Sequence, residues 1–410
     1  MRSIVNTVRG SLRVKARSVD VTFSVAAWIA VAIVLLIATT PPARAQVFTQ
    51  FYNFSGADGA YPWDALVQSS DGNFYGNTFG GGSSGMGTVF RVTPEAGLRT
   101  LHSFGGADGA NPVGTVLAAA DGSLYGTASY GGANEAGTIF RIAPDGTFTK
   151  LHDFTGADGN DPESGLVEDR RGNLYGTTAL GGKYGSGSVF VFSARGRLKT
   201  LYNFCQESGC SDGAHPYASL LRTVTGDLFG TTYDGGSSAY GTIFKITPQG
   251  QFSTVHSFSG TDGSHPVSGL IEGTDGNYYG TTISGFYGAG TIFRITPSGT
   301  LTTLANLSGS QGAKPYAPLV QASDGFFYGT TVAGGSHSYG SIYRVSSAGT
   351  LTPLYDFCAQ SDCTDGSYPE AAMIQGADGN LYGTTNGGGA YASGEIFRFS
   401  PPPSVPTAKQ

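Results

Sequence analysis

Residues 268–307 read SGLIEG (268–273), TDGN (274–277), YYGTTI (278–283), SGFYGA (284–289), GTIFRIT (290–296), PSGT (297–300) and LTTLANL (301–307). Four short runs rich in β-branched and aromatic residues are each followed by turn chemistry, which predicts four short strands, A to D. Asp275-Gly276 between A and B predicts a two-residue type I′ hairpin, a turn that needs positive φ at both central residues. Pro297-Ser298-Gly299 predicts a second tight turn between C and D. A unit of about 50 residues that is apolar on both faces cannot bury them alone and must stack on neighbours.

The same order recurs along the chain. The aromatic-Gly pair of strand B stands at Tyr75, Tyr125, Tyr175, Phe229, Tyr279, Tyr328 and Tyr382, with spacings of 50, 50, 54, 50, 49 and 54. Repeats of 40 to 50 residues with four strands predict an all-β, seven-bladed β-propeller. With 65 Gly and 19 Pro, a mostly helical chain is excluded. The seventh repeat ends after strand C, Gly394 to Phe399 (GEIFRF), whereas Val47 to Phe54 (VFTQFYNF) matches strand D as written in Leu98 to Phe104 (LRTLHSF). The N-terminal strand is therefore expected to complete the C-terminal blade and remove the exposed sheet edges. An open β-solenoid is the competing arrangement, and the split seventh repeat argues against it.

The repeated DGNLYGTT, the Gly-Gly loop, GTIFRITP and the strand-D LHSF resemble the Gloeo/Verruco (GloVer) tandem repeat of exported bacterial proteins, over residues 47–400. The resemblance implies an extracytoplasmic, propeller-like repeat protein and carries no enzymatic activity that transfers residue by residue. Family members bear varied C-terminal anchors, whereas this sequence ends in a proline-rich tail, 401–410, with no sorting helix, so release is expected.

Residues 1–45 read as an export signal. Arg2, Arg9, Arg13, Lys15 and Arg17 precede an apolar run from Val25 to Ala38, and Ala43-Arg44-Ala45 is a small-x-small site that predicts cleavage before Gln46. The apolar run falls short of the roughly 20 residues of a membrane span. Six of the 23 bases and one of the 29 acids lie in this leader, so the mature chain carries a net charge near −11. That balance speaks against nucleic acid and anionic membrane surfaces as partners.

Cys205 and Cys210 lie in the D-to-A connection before blade 4, and Cys358 and Cys363 in the same connection before blade 7, the two repeats that are four residues longer. In an exported chain each pair is expected to form a local disulfide. A shared four-cysteine zinc site would need pairs three blades apart to converge on one ion. His102, His152 and His256 take the strand-D slot that Tyr52, Tyr202 and Tyr355 fill elsewhere, as aromatic fillers. Asp58, Asp108, Asp158, Asp212, Asp262 and Asp365 precede Gly in the same connection, and Gln311 replaces them in one copy, which suits a turn better than calcium. No metal or cofactor is expected.

Strand A should line the channel, where one column reads Gln68, Ala118, Glu168, Arg222, Glu272, Gln321 and Gln375. Glu168 and Glu272 are a candidate acid and base pair, but Arg222 between them favours ionised carboxylates and a polar ring instead. The D-to-A and B-to-C loops should share one face, rich in aromatics such as Phe79, Tyr130, Tyr233, Tyr240, Phe286 and Tyr391. On it the residue before a fixed Pro varies as Tyr61, Asn111, Asp161, His215, His265, Lys314 and Tyr368, with Trp63, Tyr217 and Tyr316 just after it. A constant frame with a changing side chain is how a ligand-reading face is built. The expected function is a secreted, monomeric binding module for carbohydrate. An extracellular polysaccharide hydrolase or lyase and a structural surface protein that binds other proteins are the alternatives.

Overall fold

Tyr-Gly-Thr-Thr holds one blade together and ties it to the next, as blade 5 shows. The Tyr279 hydroxyl donates to Asp275 in the A–B turn at 2.8 Å. Gly280 pairs with Phe293 of strand C, and a Cβ there would lie 2.6 Å from the Phe293 ring, so only glycine lets the ring lie across the strand. The Thr281 hydroxyl donates to the Pro315 carbonyl of blade 6 at 2.9 Å. Thr282 shares a hydrogen bond with Thr291 of strand C at 2.7 Å.

The computed structural model describes residues 46–402, so the expected export signal and residues 403–410 of the tail lie outside the described part. It contains seven antiparallel sheets of four strands. Blade 1 runs A Val67–Gln68, B Phe74–Thr78, C Thr88–Val92 and D Leu98–Ser103. The seventh sheet is completed by Val47–Asn53, which pairs with Glu395–Ser400 from Val47 opposite Ser400 to Asn53 opposite Glu395. The chain is a seven-bladed β-propeller closed by its own N-terminal strand. The core consists of seven apolar clusters, each shared by two adjacent blades. At the ring closure, Leu66, Phe74 and Phe90 of blade 1 pack with Tyr382 and Ile396 of blade 7.

The A–B turns differ from the type I′ expectation. Gly276 has positive φ (76°) and Asp275 does not. The Gly276 N–H donates to the Gly273 carbonyl, and the Gly273 N–H donates to the Asn277 carbonyl. The loop is therefore three residues long, with the glycine in the left-handed position, and Asp275 spends its carboxylate on the Asn277 backbone N–H and side-chain amide. In the first C–D turn the left-handed residue is Ala96 (φ 65°), one position before Gly97.

Both cysteine pairs are disulfide-bonded, Cys205 to Cys210 and Cys358 to Cys363. His102, His152 and His256 donate or accept at Asp108, Asp158 and Asp262, where Tyr52, Tyr202 and Tyr355 donate to Asp58, Asp212 and Asp365. Each Asp also anchors the start of its own loop, as Asp262 does by accepting from the Ser259 N–H at 2.8 Å. Where strand D carries Ala305 in place of the ring, the Asp is replaced by Gln311, so the slot and the turn residue change together.

Tyr343 occupies the position that Phe holds in the other six blades. It is fully buried, its hydroxyl has no hydrogen-bond partner, and burial pushes its pKa up. Tyr343→Phe is expected to raise stability by about 1 kcal/mol, because it removes an unsatisfied buried hydroxyl at almost constant shape. A urea midpoint equal to or below that of the parent protein would overturn this.

Candidate functional site

Each D-to-A connection runs from the outer strand of one blade to the inner strand of the next, and the residue before its Pro is left-handed in all seven copies: Tyr61, Asn111, Asp161, His215, His265, Lys314 and Tyr368, with φ between 52° and 59°. Pro normally biases the residue before it towards extended backbone and away from this conformation. Two backbone hydrogen bonds impose it here. The His265 N–H donates to the Tyr240 carbonyl of the preceding blade, and its own carbonyl accepts from the Ile283 N–H of the same blade. The other six residues make the equivalent pair, so the backbone specifies the position while the side chain is left to vary. β-Branched residues, which resist positive φ, do not occur there.

The reversal turns the following segment inward. The residues just after Pro, namely Trp63, Val113, Glu163, Tyr217, Val267, Tyr316 and Glu370, all line one cavity of about 720 Å³ at the channel mouth on the loop face. Asp64, Tyr233, Lys314 and Tyr368 add to its polar and aromatic lining, with the hydroxyls of Thr115, Ser219 and Ser268. Neighbouring inner segments touch below it: the Gly165 N–H donates to the Ser219 hydroxyl at 2.8 Å. A Cβ on Gly114 would lie 2.4 Å from the Ser164 carbonyl, so glycine is required at that approach.

The cavity wall is acidic. Burial pushes the Asp64 carboxyl up to about 7, although the Thr115 hydroxyl and the Ala65 N–H donate to it and act in the opposite sense. Burial, reinforced by the negative charge of Asp161, pushes Glu163 up to about 7. Asp161 itself is pushed up to about 6 by burial, and Glu370 is raised for the same reason against a hydrogen bond from Asn386. Trp63 stacks on Phe79 with ring centres 4.2 Å apart, and its buried indole N–H has no partner. Beside the cavity, His215 Nδ1 lies 3.0 Å from Asp234 and His265 Nε2 lies 3.8 Å from the same carboxylate. Among the described residues no group of three or more His, Cys, Asp or Glu is placed to hold a metal ion.

The model of the Gloeobacter/Verrucomicrobia repeat matches residues 38–223 and 215–408. The chain belongs to this repeat family. No curated protein matches this Gloeobacter/Verrucomicrobia repeat chain. Among solved structures it is similar to a streptogramin B lyase, at 15% identity and TM-score 0.61, over 88% of this chain and 99% of that one. It is also similar to the extracellular domain of a putative hybrid two-component system from B. thetaiotaomicron, at 13% identity and TM-score 0.61, over 87% of this chain and 40% of that one. A putative 6-phosphogluconolactonase from Bacteroides fragilis matches at 19% identity and TM-score 0.51, over 77% and 89%. At such identities these likenesses establish the propeller fold alone.

Of the residues singled out in this repeat protein's sequence, Trp63, Tyr217, Lys314, Tyr316 and Tyr368 come together at the cavity. Tyr61, Asn111, Asp161, His215 and His265 are not among its lining. Tyr61 projects outward at 46% exposure, the Asn111 amide donates to the Phe79 carbonyl, and Asp161 is buried behind Glu163. Sequence reasoning missed Asp64, Glu163 and Glu370. For Glu163 and Glu370 the signal lay in the residue after Pro, which also varies from blade to blade, and Asp64 lies one position further on.

The strand-A column stitches the blades at the hairpin end. Gln375 Oε1 accepts from the Ser323 N–H of the preceding blade at 2.8 Å while its amide donates to the Gly379 carbonyl of its own turn at 3.0 Å. Gln321 and Gln68 accept in the same way from Thr274 and Ala377, and Glu168 Oε2 accepts from the Ala120 N–H. Glu272 is exposed, and Arg222 lies near Gly226 of its own turn. Ala118 has no group to offer, and a second pocket of about 200 Å³ opens beside it between blades 1 and 2.

Proposed function

We propose that this chain is an extracytoplasmic binding propeller that takes a saccharide-sized ligand in the cavity on its loop face. The observation that carries the reading is the ring of residues after Pro. Every blade sends one side chain to the same cavity, and rings from Trp63, Tyr217 and Tyr316 stand there among carboxylates and hydroxyls. Flat sugar faces stack on such rings while hydroxyls take the polar groups. A cavity of about 720 Å³ also falls in the range of sites that enclose small ligands. The two disulfides belong to an oxidising compartment, which fits the export signal read in residues 1–45. No helix among the described residues is long and apolar enough to cross a membrane.

Residues 46–410, produced in an oxidising compartment and screened on microbial and plant glycans, are expected to bind saturably. Trp63→Ala and Tyr316→Ala should each weaken that binding at least roughly tenfold, the loss of about one stacked ring. Unchanged affinity in both variants, with the fold intact by circular dichroism, would remove the site from this cavity.

A hydrolase or lyase is the second reading, favoured by the Asp64 and Glu163 carboxyls, both pushed up to about 7 in the same cavity. Such groups can exchange protons at neutral pH. Release of reducing or unsaturated sugar that disappears in Glu163→Gln would support it over simple binding.

A further inference from the structure

We infer that the ligand of the loop-face cavity is positively charged, an ammonium-bearing saccharide held between carboxylates and aromatic ring faces. The inference deepens the saccharide reading and rests on it. Three carboxylates, Asp64, Glu163 and Glu370, enter the cavity from blades 1, 3 and 7, and its one basic side chain is Lys314, which is exposed. Glu163 makes no side-chain hydrogen bond to the protein that would compensate its burial, and behind it Asp161 is 6% exposed with Oδ1 unpartnered. Asp234, by contrast, is already engaged by His215.

Buried carboxylates need a counter-charge or strong donors. A neutral sugar supplies hydroxyl donors but no charge, and a uronic or sulfated sugar would be repelled. An ammonium group supplies both charge and attraction to the ring faces of Trp63 and the tyrosines, an interaction that strengthens as the site is desolvated. Burial raises the Asp64 and Glu163 carboxyls to about 7, so a bound cation, which favours their ionised form, would release protons at neutral pH. His215 and His265, 3.0 and 3.8 Å from Asp234, stand beside the site, and Asp161 behind Glu163 is likewise raised by its burial.

The test is calorimetric titration of residues 46–410 at pH 7 with chitotetraose in two forms, N-acetylated and N-trimethylated, and with choline. The trimethylated form carries charge that pH cannot remove. It is expected to bind at least ten times more tightly than the acetylated form, with proton release seen as a dependence of the heat on buffer ionisation enthalpy. Glu163→Gln and Glu370→Gln are each expected to shrink that preference at least threefold. Equal or tighter binding of the acetylated form would overturn the charge inference and leave the saccharide reading standing. Binding of choline with neither oligosaccharide would keep the charge and overturn the saccharide. Silence of the folded protein towards all three would overturn both.

Discussion

A chain that lacks residues 46–53 is expected to lose its sharp melting transition and to leave gel filtration as oligomers or aggregate. Those residues form the outer strand of the seventh blade, in register with Glu395–Ser400. Phe48 stacks on Tyr355 with ring centres 4.2 Å apart and packs on Phe397. Phe51 reaches Tyr382 and Phe74, and so bridges blade 7 to blade 1. Three aromatic side chains, each worth about 2 kcal/mol of burial, are lost together with the strand's hydrogen bonds. That is roughly the whole stability margin of an ordinary domain. The truncation also leaves Glu395–Ser400 as a bare edge strand, which other chains can pair with. A monomer that melts within a few degrees of the parent would show that closure by this strand contributes little.

Glu395→Thr is expected to stabilise the protein by about 3 kcal/mol at pH 8 and by less at pH 5. The equivalent residues are Thr88, Thr138, Ser188, Thr242, Thr291 and Ser341, five of which share a hydrogen bond with a strand-B threonine. Glu395 is fully buried and neither carboxyl oxygen has a partner. Burial, with a smaller contribution from the charge of Asp365, pushes its pKa from 4.5 up to about 9. The sign follows from proton binding. Between those two values the folded state holds a proton that the unfolded state has released, so stability falls as pH rises and levels off above about 9. Asp64, Asp161 and Glu163 act in the same direction up to about 7, so the difference between parent and variant isolates Glu395. Denaturant midpoints from pH 5 to 9 check this, and a gap between the two proteins that does not widen with pH would overturn it.

Motif by motif, what was legible in the sequence is what depends on local chemistry repeated seven times. The Tyr-Gly-Thr-Thr register, the strand count, the missing last strand and both disulfides follow from residues whose partners sit at fixed spacing. The A–B turn was misread because Asp-Gly alone does not distinguish a two-residue from a three-residue loop. Asp275 settles it by capping the Asn277 N–H, which keeps its own φ out of the left-handed region. Strands B, C and D came out as expected from their β-branched and aromatic runs, whereas strand A shrank to two residues, as in Ile271–Glu272, since the inner segment runs mainly against its neighbours' backbones.

The cavity is where the two levels part. The sequence by itself determined that this is a closed seven-fold repeat, acidic over residues 46–410, with a loop face of variable side chains on a constant frame. Which of those side chains meet was decided by the tertiary structure. The left-handed residue before each Pro is held by backbone hydrogen bonds to two blades, so its side chain can point outward, as Tyr61 does, or into the protein, as Asp161 does. The residue just after Pro is carried to the channel mouth in every blade. Convergence at one axis is a property of the ring, and so is the desolvation that raises Asp64, Glu163 and Glu370. Neither exists within a single repeat, because burial arises when seven inner segments enclose one space.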